Sequence, residues 1–167
     1  VIGAAAGALL GREIAGRGRL HLDGPAGICP RGACAHRFGF IQRFAVADGQ
    51  ARHRGRFADT NKRRIEMERQ SIVMPGFGTR GVNQAPVANS DSMNAANTSV
   101  IVVGDELWAL WEGGSPTQLN RSTLETAGIR TLRSDLAHMP FTAHPKVDPN
   151  GRIWNVGFFG QRGMIWR

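Results

Sequence analysis

The sequence predicts an all-β fold, one part of a β-propeller, on three observations. From residue 97 onward, short runs of Val, Ile, Leu, Trp and Thr are broken every several residues by turn formers: Gly104-Asp105, Gly113-Gly114-Ser115-Pro116, Asn120-Arg121, Ala127-Gly128 and Asn150-Gly151. An internal echo follows, in which Gly104-Asp105-Glu106-Leu107-Trp108-Ala109-Leu110 resembles Asn150-Gly151-Arg152-Ile153-Trp154-Asn155-Val156, with Trp108 and Trp154 separated by 46 residues. A strand-punctuated period of about 40–50 residues is that of a propeller blade. Third, Phe141 to Gly151 reads as one arm and the turn of a hairpin: a short β-type run holds His144, Pro145 pins the backbone, and Pro149-Asn150-Gly151 turns the chain into the apolar run Ile153 to Phe159.

Composition is that of a globular domain. The 167 residues are 41% hydrophobic and 20% charged, which excludes disorder by composition. No apolar run approaches the about 18 residues that span a bilayer, and Ile2 to Leu10 is too short and too rich in Ala and Gly to anchor the chain. The expected location is therefore the cytoplasm. Cys29 and Cys34 lie five apart with no histidine at zinc-finger spacing, so they read as two incidental thiols.

The net charge of +8 suggests nucleic acid until it is located. Residues 1–80 hold 14 Lys and Arg against 6 Asp and Glu, whereas residues 81–167 hold 7 against 7. The densest cluster, Lys62-Arg63-Arg64 with Arg69, alternates with Glu66 and Glu68 and reads as a solvated helix or loop face. Aromatic residues do not interleave with it, as stacking on single strands requires, so no nucleic-acid partner is expected.

The candidate chemistry centres on two residues. A lone histidine in a strand, such as His144, is ordinarily a hydrogen-bonded core or rim residue. Glu112, after Leu107-Trp108-Ala109-Leu110-Trp111, ends a buried strand with a carboxylate that needs either a partner or solvent. His138, His53, His21 and His36 are poorer candidates: the first beside Met139-Pro140, the second between Arg52 and Arg54, the last two within the composition-biased lead-in.

The wording of several segments is more specific than their periodicity. Thr142-Ala143-His144-Pro145 resembles the segment around the first iron-binding histidine of the carotenoid cleavage oxygenase family. Ala96-Asn97-Thr98 resembles that family's entry into a strand, Leu107 to Pro116 its Leu-Leu-Ala-Leu-x-Glu segment, and Ser122 to Thr126 its Asp-Thr-Leu-Glu-Thr turn. Phe40 to Phe44, Asp48-Gly49 and Arg54 to Phe57 resemble its early strands, and Pro75 to Thr79 is similar to a loop of its bacterial branch. The resemblance spans residues 40–167. Residues 1–39, rich in Gly, Ala and Arg, depart from it and read as a divergent or mis-translated lead-in.

The resemblance implies a seven-bladed propeller, of which this chain would hold about two blades as an N-terminal portion stopping inside a strand-like run at Trp166-Arg167. It also implies a non-haem iron(II) (Fe2+) dioxygenase, in which four histidines bind the metal and O2 is inserted across a carbon–carbon double bond of a carotenoid, apocarotenoid or stilbene to give two carbonyl products. His144 would be one ligand, with the other three outside this chain. Glu112 would accept an N–H hydrogen bond from an iron-bound histidine beyond residue 167. Four neutral imidazoles bind iron(II) without adding negative charge and leave positions for dioxygen. The partners would be an apolar polyene or stilbene and O2; the sequence leaves the oligomeric state open. A reading from another class, a non-catalytic β-propeller binding module, makes His144 and Glu112 ordinary strand residues.

Overall fold

A computed structural model describes residues 2–4, 37–76, 85–159 and 162–167. His21, Cys29, Cys34 and His36 lie outside the described residues. The described chain is built on three antiparallel sheets. The first joins β1 (Ile2–Ala4), β2 (Phe40–Ala47) and β3 (Gln50–Phe57) in that order. β2 and β3 are linked by Asp48-Gly49, both at positive φ, the two-residue type I′ solution that matches strand twist.

The second sheet is a four-stranded meander, β4 (Ser99–Val103), β5 (Glu106–Leu110), β6 (Thr117–Leu119) and β7 (Thr126–Ile129), ordered as in the chain. Sequential up-and-down strands are the form of a propeller blade. β5 is central and buried on both faces. Leu107 and Ala109 join Ile41, Ala58, Ala96, Leu119 and Leu124 in one core; Trp108 and Leu110 join Phe141 and Ala143 in another. The Trp108 and Phe141 rings meet edge to face at 6.1 Å.

The third sheet holds β8 (Lys146–Val147), β9 (Ile153–Phe159) and β10 (Arg162–Trp166). The expected hairpin is present: Val147 pairs with Ile153 across a five-residue loop, with Gly151 at φ +77° and the Asp148 carboxylate accepting the Asn150 and Arg152 amides at 2.9 Å each. The echoing segments therefore adopt the same form, a hairpin turn leading into its second strand. They differ in burial, since Trp108 lies in the core and Trp154 stays half exposed.

The basic cluster forms one helix, α1 (Asn61–Glu68), capped by the Thr60 hydroxyl on the Arg63 amide. The expectation of a solvated face holds only for its outer side. Lys62 and Glu66, one turn apart, are fully buried. Glu66 accepts both the Arg37 guanidinium and the Val73 and Met74 amides, while the Lys62 ammonium donates to the Met74 and Pro75 carbonyls. A buried carboxylate with two cations and two amides ties α1 to the strap at 73–75.

Burial pushes the Lys62 ammonium down from 10.5 to about 8, opposed by the Glu66 charge and aided by Arg37. Between those values the unfolded chain carries a proton that the folded chain lacks, so stability rises with pH across this window. The thermal midpoint is expected to climb from about pH 8 toward 10.5. Lys62→Met should flatten that climb relative to the parent; an equal climb in both proteins would assign it elsewhere. No tyrosine titrates in the same window.

Candidate metal centre

Two strips of chain lie side by side at the end of β5. One runs from Trp111 through the turn at 112–115. The other, 138–145, follows a 3-10 turn at Ser134–Leu136 and leads into β8. They are joined by the Phe141 amide on the Gly114 carbonyl at 3.0 Å. At the far end of the strips, Glu112 and His144 meet.

His144 was expected on a strand; it lies instead two residues before β8, in a bend. The reason is where the backbone donors go. Four consecutive amides are satisfied outside any strand ladder: Phe141 on Gly114, Thr142 on the Asn155 side-chain oxygen at 2.8 Å, Ala143 on Glu112 Oε2 at 3.1 Å, and His144 on Thr142 Oγ1 at 3.1 Å. The Ala143 carbonyl accepts the Ser99 hydroxyl, and Pro145 supplies no N–H to a ladder. Beneath the strip, Phe141 and Ala143 pack on Trp108 and Leu110. The His144 ring is two-thirds exposed on a backbone that is fixed on all sides.

Glu112 is no simple solvent charge. Its Oε2 accepts the Thr142 hydroxyl at 3.0 Å as well as the Ala143 amide, and its Oε1 stands 3.3 Å from His144 Nε2. The resemblance implied an imidazole partner beyond residue 167; in this structure the imidazole against Glu112 is that of His144, because the paired strips bring the two residues together. A carboxylate on one ring nitrogen leaves the other with its lone pair for a metal.

The remaining described histidines are engaged elsewhere. His53 stacks on Phe44 at 4.6 Å and contacts Gln42, and His138 Nδ1 stands 2.9 Å from Asp91. Among the described residues no group of three or more His, Cys, Asp or Glu side chains could hold a metal ion. The donor set here is thus one imidazole with a carboxylate beside it, which fits one ligand of a metal centre and no more. Asn155 escaped the sequence reading; its signal was a polar side chain at an inward-facing position between Trp154 and Val156. Asp91, in an Asn-Ser-Asp-Ser loop, had none.

The family model described as retinal pigment epithelial membrane protein matches residues 20–166. The chain belongs to this family of carotenoid oxygenases. Among curated relatives, the carotenoid isomerooxygenase of Galleria mellonella is 30% identical over 136 residues, 75% of this chain and 26% of that protein. The apocarotenoid-15,15'-oxygenase of Synechocystis is 35% identical over 106 residues, 61% of this chain and 22% of that protein. The chain therefore spans about a quarter of the carotenoid oxygenases it matches. Among solved structures, the lignostilbene dioxygenase of Pseudomonas brassicacearum superposes with a TM-score of 0.61 at 28% identity, over 72% of this chain and 25% of that one. Among the described residues no helix is long and apolar enough to cross a membrane.

Proposed function

We propose that this chain is part of a non-haem iron(II) dioxygenase that cleaves a carbon–carbon double bond of a carotenoid, apocarotenoid or stilbene with O2, giving two carbonyl products. The observation that carries the proposal is the pinned strip 141–144, which spends four amides and a proline on holding one exposed imidazole against a carboxylate. His144 is one metal ligand. The other ligands come from outside these 167 residues, on further blades of a seven-bladed propeller of which about two are represented here.

The relatives support this reading. Their names are those of oxygenases and dioxygenases acting on carotenoids, apocarotenoids, resveratrol and lignostilbene. The Synechocystis apocarotenoid oxygenase has been solved cobalt-substituted, at 30% identity and a TM-score of 0.57. Variants of that enzyme have been solved at a tryptophan and at the glutamate immediately after it, and Trp111-Glu112 is the one Trp-Glu pair in this sequence.

Bound iron(II) would supply the activation of dioxygen. The chain's own residues do the rest. Glu112 Oε2 is committed to Thr142 and Ala143, so Oε1 is the oxygen that fixes the orientation and tautomer of an imidazole and raises its basicity. Phe141, Ala143 and Trp108 close the underside of the strip with apolar surface, and Asn155 sets its distance from β9.

Glu112→Gln tests the site. The amide oxygen can still accept from Thr142 and Ala143, but the carboxylate charge on the imidazole is lost. In the full-length protein, metal affinity or cleavage rate should fall by about 10–100-fold, or about 1.4–2.7 kcal/mol at 1.36 kcal/mol per decade. Glu125→Gln is the control: its carboxylate is exposed and 3.5 Å from an equally exposed Arg56. Parent-like metal affinity and turnover in both variants would remove Glu112 from the site.

A further inference from the structure

Asp91 sits in a 3-10 turn, Ser90–Met93, with its side chain 7% exposed, and it serves three donors. Oδ1 accepts the Ser115 amide at 2.6 Å. Oδ2 accepts the Ser115 hydroxyl at 2.9 Å and stands 2.9 Å from His138 Nδ1. An ionised carboxylate only accepts, so the His138 proton is on Nδ1. Ser115 lies just beyond Glu112 on one strip, and His138 opens the other strip, which carries His144 near its end.

The same turn holds both strips by additional contacts. Asn94 donates to the Ser115 carbonyl at 2.8 Å, and Ser90 donates its hydroxyl to the His138 carbonyl. His138 has φ +61°, a conformation costly for a non-glycine residue and maintained only when its surroundings over-determine it. Gly114 is also required by this grip: a Cβ there would come within 2.8 Å of Asp91 Oδ1.

We propose that Asp91 is a positioning residue of the metal centre, joining through Ser115 and His138 the two strips that carry Glu112 and His144 and so fixing their separation. This rests on the metal-centre reading above. Asp91 is not itself a ligand; it acts through the backbone of the strips, six residues before His144 on one side and three after Glu112 on the other.

Three variants of the full-length protein test it, with cobalt(II) as the probe. Asp91→Asn keeps an acceptor for the Ser115 amide but puts an N–H in place of the charged acceptor facing His138 Nδ1, which the ring can meet only by changing tautomer. His138→Leu removes the donor from an exposed residue and leaves Asp91 intact. His138→Asn places an N–H the same number of bonds from Cα and tolerates positive φ. Amide hydrogen exchange at Phe141, Thr142 and Ala143 is expected to quicken about tenfold in Asp91→Asn and His138→Leu, the scale of one lost hydrogen bond. It should stay at the parent rate in His138→Asn, and the β5 amides should stay protected throughout. The same two variants should shift the cobalt d–d bands and weaken cobalt binding about tenfold, with His138→Asn restoring both. Parent-like protection of the strip in His138→Leu, equal loosening in His138→Asn, or equal loosening of β5 would each overturn the proposal. Loosened strip amides with unchanged cobalt binding would uphold the link through Asp91 and overturn the metal reading of His144 instead.

Discussion

His144→Ala is expected to strip the metal from the full-length protein and to abolish alkene cleavage with it, while leaving the fold as stable as the parent. The two halves of that expectation come from different atoms. The imidazole is two-thirds exposed and packs in neither core cluster, so deleting it opens no cavity, and surface changes of this kind stay within about 0.5 kcal/mol. The backbone that presents it is held by donors and acceptors that alanine keeps: its own amide on Thr142, and those of the three preceding residues on Gly114, Asn155 and Glu112. A missing ligand, by contrast, leaves a metal site short of a strong donor and lowers affinity steeply. Metal content after dialysis, cleavage rate and denaturation midpoint are measured together, with His53→Ala as the control because His53 is exposed and stacked on Phe44 on a different sheet. Cleavage retained in His144→Ala would show that another residue fills this role. Loss of metal together with a collapsed midpoint would show that His144 is structural.

Legibility from sequence followed the range of the interactions. The β4–β5 and β8–β9 hairpins were visible because two-residue alternation and Gly-containing turns are local signals, and the echo between Gly104–Leu110 and Asn150–Val156 marked two copies of one form. His144 and Glu112 were visible through the wording of their segments, and the structure brings them within 3.3 Å. What the sequence hid was the means of holding them. Thr142-Ala143-His144 reads as a strand from its residue types, but its donors go to Asn155 and Glu112, side chains 13 and 31 residues distant, which no local pattern encodes. Asp91 bonds Ser115 and His138 across 24 and 47 residues, and a serine-rich loop gives no sign of it. α1 misled for a related reason. Alternating charges look solvated when counted along the chain, and only Arg37, 29 residues upstream, together with the strap at 73–75 makes a buried place for Glu66.

Glu66→Ala should accordingly be among the most destabilising single changes in the described part of the chain, at about 3–5 kcal/mol, the cost of removing one partner from a buried ion pair. The Glu66 side chain is 0% exposed and that of Arg37 8%. Without the carboxylate the guanidinium keeps just the Met74 carbonyl, the Lys62 ammonium keeps the Met74 and Pro75 carbonyls, and the Val73 and Met74 amides lose their acceptor. Two positive charges then remain buried with no counter-charge beside them. The damage reaches the Ser90–Met93 turn by contact, because Val73 and Met74 pack with Ile65 and Met93, and Asn61 donates to the Ser92 carbonyl, so α1 and the strap buttress the turn that holds Asp91. Denaturant unfolding of Glu66→Ala is compared with Glu68→Ala, one turn-half further along α1 and exposed, where the change should stay within about 0.5 kcal/mol. Equal, small losses in the two variants would mean that Glu66 is solvated and the Arg37–Glu66–Lys62 network does not hold the strap. A large loss in Glu66→Ala that Glu66→Gln recovers only in part would separate the charge from the two amide hydrogen bonds, since glutamine keeps one acceptor for Val73 and Met74 and gives nothing to the guanidinium's charge.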